Sequence, residues 1–333
     1  MKNNKDVRWG IIGCGDVTEV KSGPAYQKTD GFSLAAVMRR DVALLKDYAT
    51  RHKVEKYYTN AEDLIHDKEI DAVYIATPPD SHKLYGLRVA NAGKICCIEK
   101  PLAPSYEDSK QLSEAFSNAN VPLFVAYYRR SLPRFNRVKS LLEEDKIGRV
   151  RHVSWHLNQA ANQLDLSRQY NWRTDRTIAP GGYFDDLASH GLDLFAYLLG
   201  DYKAVQGVSV NQQELYSALD SVSACWTHEN GITGVGSWNF GGYSRQDKVV
   251  IYGSEGELEF SIFDDNPILV CNSIDQQKIH VKHPEHVQMH HVQNIRDQIF
   301  TGKPHPSNGK TAVHTSWVMD QILRSSLTNN QSF

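Results

Sequence analysis

Val7-Arg8-Trp9-Gly10-Ile11-Ile12-Gly13-Cys14-Gly15-Asp16-Val17-Thr18 is the stretch on which the reading of the whole chain turns. A short apolar run leads straight into Gly-x-Gly. That is how a first strand turns sharply into a helix, with backbone N–H groups facing a ligand. Gly13 permits the tight turn, and Gly15 lets the backbone approach a pyrophosphate. A helix opening at Asp16 and Val17 offers its positive end to the phosphates. The third fingerprint position is Thr18 rather than Gly or Ala. A bare Gly-x-Gly is often only a turn, but the strand before it favours the nucleotide reading.

Composition narrows the classes. A chain of 333 residues suggests two domains, and a net charge of −2 with 41% apolar residues is ordinary for a globular protein. No basic excess points to nucleic acid. No apolar run approaches the ~20 residues that span a bilayer. The opening Met1-Lys2-Asn3-Asn4-Lys5-Asp6 is charged and has no apolar core, so no signal peptide is expected and the location is expected to be cytoplasmic. Cys14, Cys96, Cys97, Cys225 and Cys271 form neither a metal spacing nor a disulfide pattern, so they read as reduced core cysteines with no metal.

The first part of the chain alternates between two periods. Strands are expected at Phe32–Met38, Asp71–Ala76, Lys94–Ile98 and Val121–Ala126. Helices are expected at Ala43–His52, Ala61–Ile65, His82–Ala92 and from a Ser105–Asp108 capping box to Ser117. Such alternation means βαβ units and a parallel sheet. A helix over Phe135–Glu144 then leads into strands at Arg149–Leu157, Ala204–Val210, Ser221–His228, Thr233–Asn239, Lys248–Tyr252 and Glu257–Ile262. These are joined by turns, so antiparallel pairing is expected. One helix, Asp185–Leu199, interrupts them, and two more near Gln288–Phe300 and Lys310–Leu323 close the chain before a loose end, Thr328–Phe333.

In an open parallel sheet, ligands bind outside the carboxyl ends of the strands. Besides the glycine turn, two strand ends stand out: Thr77-Pro78-Pro79-Asp80-Ser81-His82 and Glu99-Lys100-Pro101. A lysine right after an apolar strand, fixed by the following proline, points into the cleft. Partial burial beside a cofactor lowers its pKa toward proton transfer, and a plain surface lysine is the competing reading. Asp186, His190 and Asp193 recur at i, i+4 and i+7 and so share a helix face. A histidine with a carboxylate one turn away suits general acid–base work, while a buried structural histidine is the alternative. Asn158, Gln159, Asn162, Gln163 and Asn171 read mostly as a solvated loop, with hydroxyl binding the lesser alternative.

The Gly10-to-Gly15 turn, Glu99-Lys100-Pro101, Trp172-Arg173 and Gly181-Gly182 followed by Asp186-x-x-x-His190-x-x-Asp193 occur in that order. With these motifs the sequence resembles, essentially end to end, the Gfo/Idh/MocA family of NAD(P)-dependent sugar and polyol oxidoreductases. It departs from the family pattern at Pro180, in place of the first of three glycines, and at Tyr128, where Asn is frequent. The resemblance implies an α/β fold: a Rossmann dinucleotide-binding domain over 1–126, then an α/β domain over 127–333 with an open, mostly antiparallel sheet. It implies Lys100, His190 and Asp186 as catalytic residues. The cofactor is then expected against Gly13, Gly15, Asp16, Val17, Arg39, Arg40, Thr77, Pro78, His82, Glu99, Lys100, Arg129, Trp172 and Arg173. Substrate is expected against Lys100, Tyr128, Trp172, Asp186 and His190.

Cofactor choice has its own argument. NAD binders end the second strand in an acid that holds the ribose hydroxyls. Here the strand runs Val37-Met38-Arg39-Arg40-Asp41. An arginine at that position suits the 2′-phosphate, so NADP(H) is expected ahead of NAD(H). A register shift of two residues to Asp41 would reverse this. The reaction implied is hydride transfer between a nicotinamide and a hydroxyl or carbonyl carbon of a sugar, anhydro-sugar or polyol. His190, oriented by Asp186, exchanges the proton, and Lys100 hydrogen-bonds the same oxygen, with the two roles interchangeable. Two other classes compete: a glycosidase-type hydrolase that oxidises its sugar transiently with NAD, and a non-catalytic nucleotide-sensing regulator. The regulator predicts eroded catalytic groups, and Lys100, Asp186 and His190 are all present. A homodimer or homotetramer through the second sheet is expected, with Val222, Ala224, Trp226, Val235 and Trp238 either at that interface or under the domain's own helices.

Overall fold

The computed structural model describes residues 6–327, so the expected charged opening before Asp6 and the loose end Thr328–Phe333 lie outside the described residues. β1 (Val7–Ile12) runs into α1 (Asp16–Val20) and α2 (Gly23–Lys28). There follow β2 (Phe32–Met38), α3 (Val42–Arg51), β3 (Lys56–Tyr58), α4 (Ala61–His66), β4 (Ala72–Ile75), α5 (His82–Asn91), β5 (Ile95–Ile98), α6 (Tyr106–Asn118) and β6 (Leu123–Val125). The strands form one parallel sheet in the order β3-β2-β1-β4-β5-β6. The order reverses between β1 and β4, and that reversal creates the crevice in which such sheets take a dinucleotide. β3 was not expected from the sequence, because three residues are too few to show a period of two.

The strands read as continuous apolar runs because both faces are covered. Trp9, Ile11, Tyr74, Cys97 and Phe124 pack with Tyr26, Leu45 and Tyr48, while Ile12, Val73, Ile75 and Ile98 pack with Leu64, Val89 and Leu112. The helix expected to open at Asp16 is short, and a second helix follows it directly. Ser22 Oγ and N–H both donate to the Val17 carbonyl, at 3.1 and 3.2 Å, and Pro24 begins α2. The expected capping box is half made: Ser105 Oγ accepts the Asp108 N–H at 3.1 Å, but the Asp108 carboxylate takes Lys83 Nζ at 2.6 Å.

The second part runs α7 (Pro133–Glu143), β7 (Val150–Asn158), α8 (Gln163–Leu166), a π turn over Phe184–Ala188 and α9 (Ser189–Leu199). Then come β8 (Tyr202–Val210), β9 (Ser221–His228), β10 (Thr233–Asn239), β11 (Gln246–Gly253), β12 (Gly256–Phe260), β13 (Ile268–Asn272) and β14 (Gln276–Ile279), before α10 (Met289–Thr301) and α11 (Gly309–Leu327). Its eight strands lie in the order β14-β13-β12-β11-β7-β10-β9-β8. Pairing is antiparallel except between β7 and β10, which run parallel because β10 enters beside β7 only after the chain has crossed through α9, β8 and β9. β14 was not expected, and its polar Gln-Gln-Lys sequence gives no strand signal.

This sheet is buried on one face only. Val222, Ala224, Trp226 and Trp238 point to the covered side, where Trp226 stacks on Phe195 and Trp238 meets Trp155 and Phe184 edge-on. Of the five residues considered for an interface, only Val235 faces outward. It shares that face with Val208, Cys225 and Tyr252. Cys225 is therefore exposed and Cys271 half-buried, unlike the core cysteines expected at all five positions.

The chain divides into two compact units, Met1–Leu132 with Pro284–Val313, and Pro133–His283 with His314–Phe333. This departs from a single cut after residue 126. The segment carrying α10 returns to the first unit, where Val292 and Ile295 enter the core. Among the described residues, no helix is long and apolar enough to cross a membrane, and no cluster of His, Cys, Asp or Glu is arranged to hold a metal.

Candidate functional site

In the first unit, Gly13 turns the chain off β1 with φ +90°, and a Cβ there would stand 2.6 Å from Thr77 Cγ2. Only glycine fits between the tips of β1 and β4. Over Gly15 there is open room: a Cβ would meet nothing closer than 3.9 Å. The Gly15 N–H, however, is not free for a phosphate. Thr18 Oγ1 accepts it at 3.0 Å and donates back to the Gly15 carbonyl at 2.8 Å. This is what the unusual Thr does at the third fingerprint position. α1 is moreover a five-residue helix with little dipole to offer, so the expected dipole contribution is small. Asp16 is exposed and Val17 half-buried at its start.

At the end of β2, Arg39 Nη1 donates to the Cys14 carbonyl at 3.0 Å, which sets the guanidinium over the glycine turn. Arg40 is exposed. Asp41, the alternative acid, is spent as the N-cap of α3, accepting the Leu44 N–H at 3.0 Å. The register therefore places Arg39, not Asp41, at the strand tip. Burial raises the Cys14 thiol to about 11, so it stays protonated beside this turn.

At the tip of β4, Pro78 is exposed and Thr77 Oγ1 accepts from Ser81 Oγ at 2.7 Å. His82, expected at the cofactor, is fully buried instead. Its ring sits between the Pro101 carbonyl at Nδ1, 2.9 Å, and the Thr77 carbonyl at Nε2, 2.8 Å. Burial lowers its pKa, so the ring is neutral and one nitrogen donates at a time. His82 thus ties two strand-end loops together. Glu99 also faces inward. Its Oε1 accepts Tyr74 Oη at 2.5 Å and Gln288 Nε2 at 2.7 Å, and its Oε2 accepts the Lys100 N–H at 3.2 Å. These bonds anchor the backbone that presents half-buried Lys100, whose bond to Pro101 is cis.

Sequence reasoning missed Tyr74 and Gln288. A tyrosine in a buried strand signals a needed partner, but nothing marks Gln288, which lies 189 residues from Glu99. Beyond β6, Arg129 is buried, with its guanidinium 5.1 Å from the Tyr128 ring centre.

In the second unit, Asp186 lies in the π turn and His190 in the first turn of α9, so the regular helix face expected across them is interrupted. Gly191 lets α9 sit on β7: a Cβ would be 2.3 Å from Trp155 Cζ3. His190 is 5% exposed, and Phe263 meets its ring edge-on with centres 5.9 Å apart. Asp186 Oδ2 accepts Arg173 Nε at 3.0 Å, and Arg173 lies 4.3 Å from the Trp172 ring centre. Asp193 departs from the expected trio. It is fully buried and accepts Thr315 Oγ1 at 3.0 Å, a structural bond.

The Arg173 N–H is held by Asn171 Oδ1 at 3.1 Å. Asn162 and Asn171 donate to Tyr183 Oη, which itself donates to Asp165 at 2.7 Å. These two asparagines are framework rather than solvated loop. Burial and Asp165 push the Tyr183 phenol up to about 12. Burial likewise pushes the neighbouring Asp185 carboxyl up to about 7, against the Gly181 N–H that it accepts at 2.8 Å.

Family models match both parts of the chain. Residues 7–127 match the model of an oxidoreductase family with an NAD-binding Rossmann fold, and residues 135–259 match the GFO/IDH/MocA C-terminal domain. The chain is 37% identical over 315 residues, 94% of its length and 97% of the relative's, to "Oxidoreductase P35" of Formosa agariphila. It is 29% identical to the 1,5-anhydro-D-fructose reductase of Ensifer adhaerens over 58% of this chain and 57% of that protein. Among solved structures, a levoglucosan dehydrogenase in complex with NADH and levoglucosan matches with a TM-score of 0.85 at 22% identity, covering 97% of this chain and 98% of that one. The chain belongs to the Gfo/Idh/MocA oxidoreductase family, with an NAD-binding Rossmann fold in its first unit.

Proposed function

We propose that the protein transfers hydride between a nicotinamide cofactor and a hydroxyl or carbonyl carbon of a sugar, anhydro-sugar or polyol, with NADP(H) preferred over NAD(H). The observation that carries the reading is the pairing of Arg39 over the glycine turn with Lys100 at the tip of β5, on a sheet whose strand order reverses between β1 and β4. The residues fit a dinucleotide. Gly13 clears the turn, Gly15 leaves open space, and Arg39 presents a fork suited to a 2′-phosphate. Thr77, Pro78, Arg40, Arg129 and Arg173 are assigned to the cofactor, and Trp172 to both cofactor and substrate. When bound, the cofactor supplies hydride exchange at its nicotinamide ring.

Lys100 hydrogen-bonds the reacting oxygen and stabilises the charge developing there. His190 takes or returns the proton of the hydroxyl. Asp186, joined to Arg173, orients the histidine. Tyr128 contacts the substrate. The relatives named as a levoglucosan dehydrogenase and an anhydrofructose reductase support the carbohydrate class. The uncovered face of the second sheet, with Val208, Val235 and Tyr252 exposed on it, supports a homodimer or homotetramer, and the five free cysteines support a reducing, cytoplasmic location.

Fluorescence titration with NADPH and NADH, followed by a screen of keto-sugars and anhydro-sugars for cofactor consumption, tests the reading. Tighter NADPH and turnover with a carbohydrate are expected. Binding of NADH alone overturns the preference, and cofactor binding without turnover on any sugar or polyol overturns the reaction.

A further inference from the structure

Arg134 enters the first turn of α7 and is 1% exposed. Its Nε and Nη2 are buried and meet no acceptor. A guanidinium carries five donors and keeps its charge in proteins. Buried charges are otherwise paired, because an unpaired one loses its hydration with nothing to replace it.

Two carboxylates act on Arg134 through charge, Asp265 and Asp247. Both are occupied elsewhere. Asp247 accepts Trp155 Nε1 at 3.0 Å on Oδ1 and the Phe263 and Asp264 N–H groups at 2.6 and 3.3 Å on Oδ2. Asp265 is 70% exposed and lies 3.8 Å from His283 Nε2. The helix adds to the imbalance. A cation in the first turn of an 11-residue helix opposes the dipole, and that turn holds no acid. The free donors and the helix end ask for the same thing, a negative charge. The position is connected within its own unit to the residues assigned to chemistry. Asp247 holds the backbone of Phe263, and the Phe263 ring packs against that of His190.

We infer that Arg134 and the N-terminal turn of α7 form an anion subsite that takes the carboxylate of a sugar acid, an aldonate or a uronate. One cation facing two nearby carboxylates accommodates a monoanion and disfavours a phosphate dianion. A carboxylate also matches the guanidinium fork with two parallel bonds. The assignment rests on the oxidoreductase reading for the identity of its ligand as substrate.

The test is equilibrium binding by calorimetry on the full chain, without turnover, so that failure of the reaction class is recorded separately by the sugar screen. The probes are D-gluconate, D-glucuronate and D-galacturonate, each against its neutral partner D-glucitol, D-glucose or D-galactose, with inorganic phosphate as a further arm. At least one acid is expected to bind ten-fold or more tighter than its neutral partner, and Arg134→Gln is expected to abolish that preference while raising the melting temperature. Absence of any acid preference in the native chain overturns the inference. So does a preference that survives in Arg134→Gln, or phosphate binding tighter than every sugar acid. If Arg134→Gln does not fold, Arg134→Lys is read instead. It is expected to weaken the acid several-fold and keep the preference over the neutral sugar, and unchanged affinity overturns the assignment.

Discussion

In β4 of the parallel sheet, Val73 and Ile75 face one helical layer and Ala72 and Tyr74 face the other, all fully buried. In β9 of the eight-stranded sheet, Val222, Ala224 and Trp226 turn inward while Ser223 and Cys225 turn to the open face. The first pattern needs helices on both sides and leaves only strand ends for function. The second leaves one face free and carries its candidate side chains on the layer that covers the other face. Accordingly the first unit presents its candidate residues from loops fixed by backbone bonds, as Lys100 is by Glu99. The second presents them from a π turn and a helix, held by side-chain pairs such as Asp186 with Arg173.

The largest expected effect tests whether both units take part in chemistry. Lys100→Ala and His190→Ala are each expected to lower kcat by about 10³-fold, with NADPH binding by fluorescence within about three-fold of the native chain. If only the Lys100 change matters, the second unit is a wall for substrate and the comparison fails.

Next comes the packing of the layer that carries His190. In Gly191→Ala the new Cβ would stand 2.3 Å from Trp155, itself 1% exposed. A loss of about 3 kcal/mol is expected by denaturant melting. Gly93→Ala, where φ is +66° and nothing lies within 4 Å, is expected to cost about 1 kcal/mol. Equal losses would mean that the close approach of α9 to β7 contributes nothing.

The same contrast explains what the sequence discloses. Strands buried on both faces, and the glycine turn between them, are legible because burial and backbone freedom leave apolar runs and Gly13 as marks. Alternation along β9 and β10 is legible too, but not which side is covered, since Trp226 and Trp238 read equally well under a helix or at an interface. Short pieces escape for want of period, as at Lys56–Tyr58 and Gln276–Ile279. The π turn over Phe184–Ala188 escapes because an inserted residue leaves no compositional trace. Bonds that join distant segments, such as Gln288 to Glu99, leave no local signal at all. The inward turn of His82 and Glu99 follows from carbonyls and donors that only the folded chain brings near them.

A smaller effect concerns cofactor choice at β2. Arg39→Ala is expected to weaken NADPH about ten-fold and NADH less than two-fold, the loss of a charge-assisted bond. Asp41→Ala removes the cap of α3 and is expected to cost about 1 kcal/mol of stability with the cofactor ratio unchanged. Equal weakening of both cofactors by Arg39→Ala, or a changed ratio in Asp41→Ala, would return the acid register to consideration.

The smallest effect compares two carboxyls with opposite shifts. In the first unit, bonds from Arg51 and His52 hold Glu19 down near 2, so its contribution is present above about pH 4.5 and disappears between there and pH 2. In the second unit, Asp185 behaves in reverse. The residue is half-buried but its carboxyl lies deep against Gly181, and desolvation raises it from 3.8 to about 7. Below pH 4 both folded and unfolded chains hold the proton. Between pH 4 and 7 the unfolded chain releases it first, so the folded state binds more protons and loses stability as pH rises. Asp185→Asn removes this slope. Measured by urea melting from pH 5 to 8, the native chain is expected to lose about 2 kcal/mol relative to Asp185→Asn. Parallel curves would show that the carboxyl is ionised throughout, and that the π turn carries two adjacent charges at Asp185 and Asp186, with Arg173 as the neutralising partner of the second.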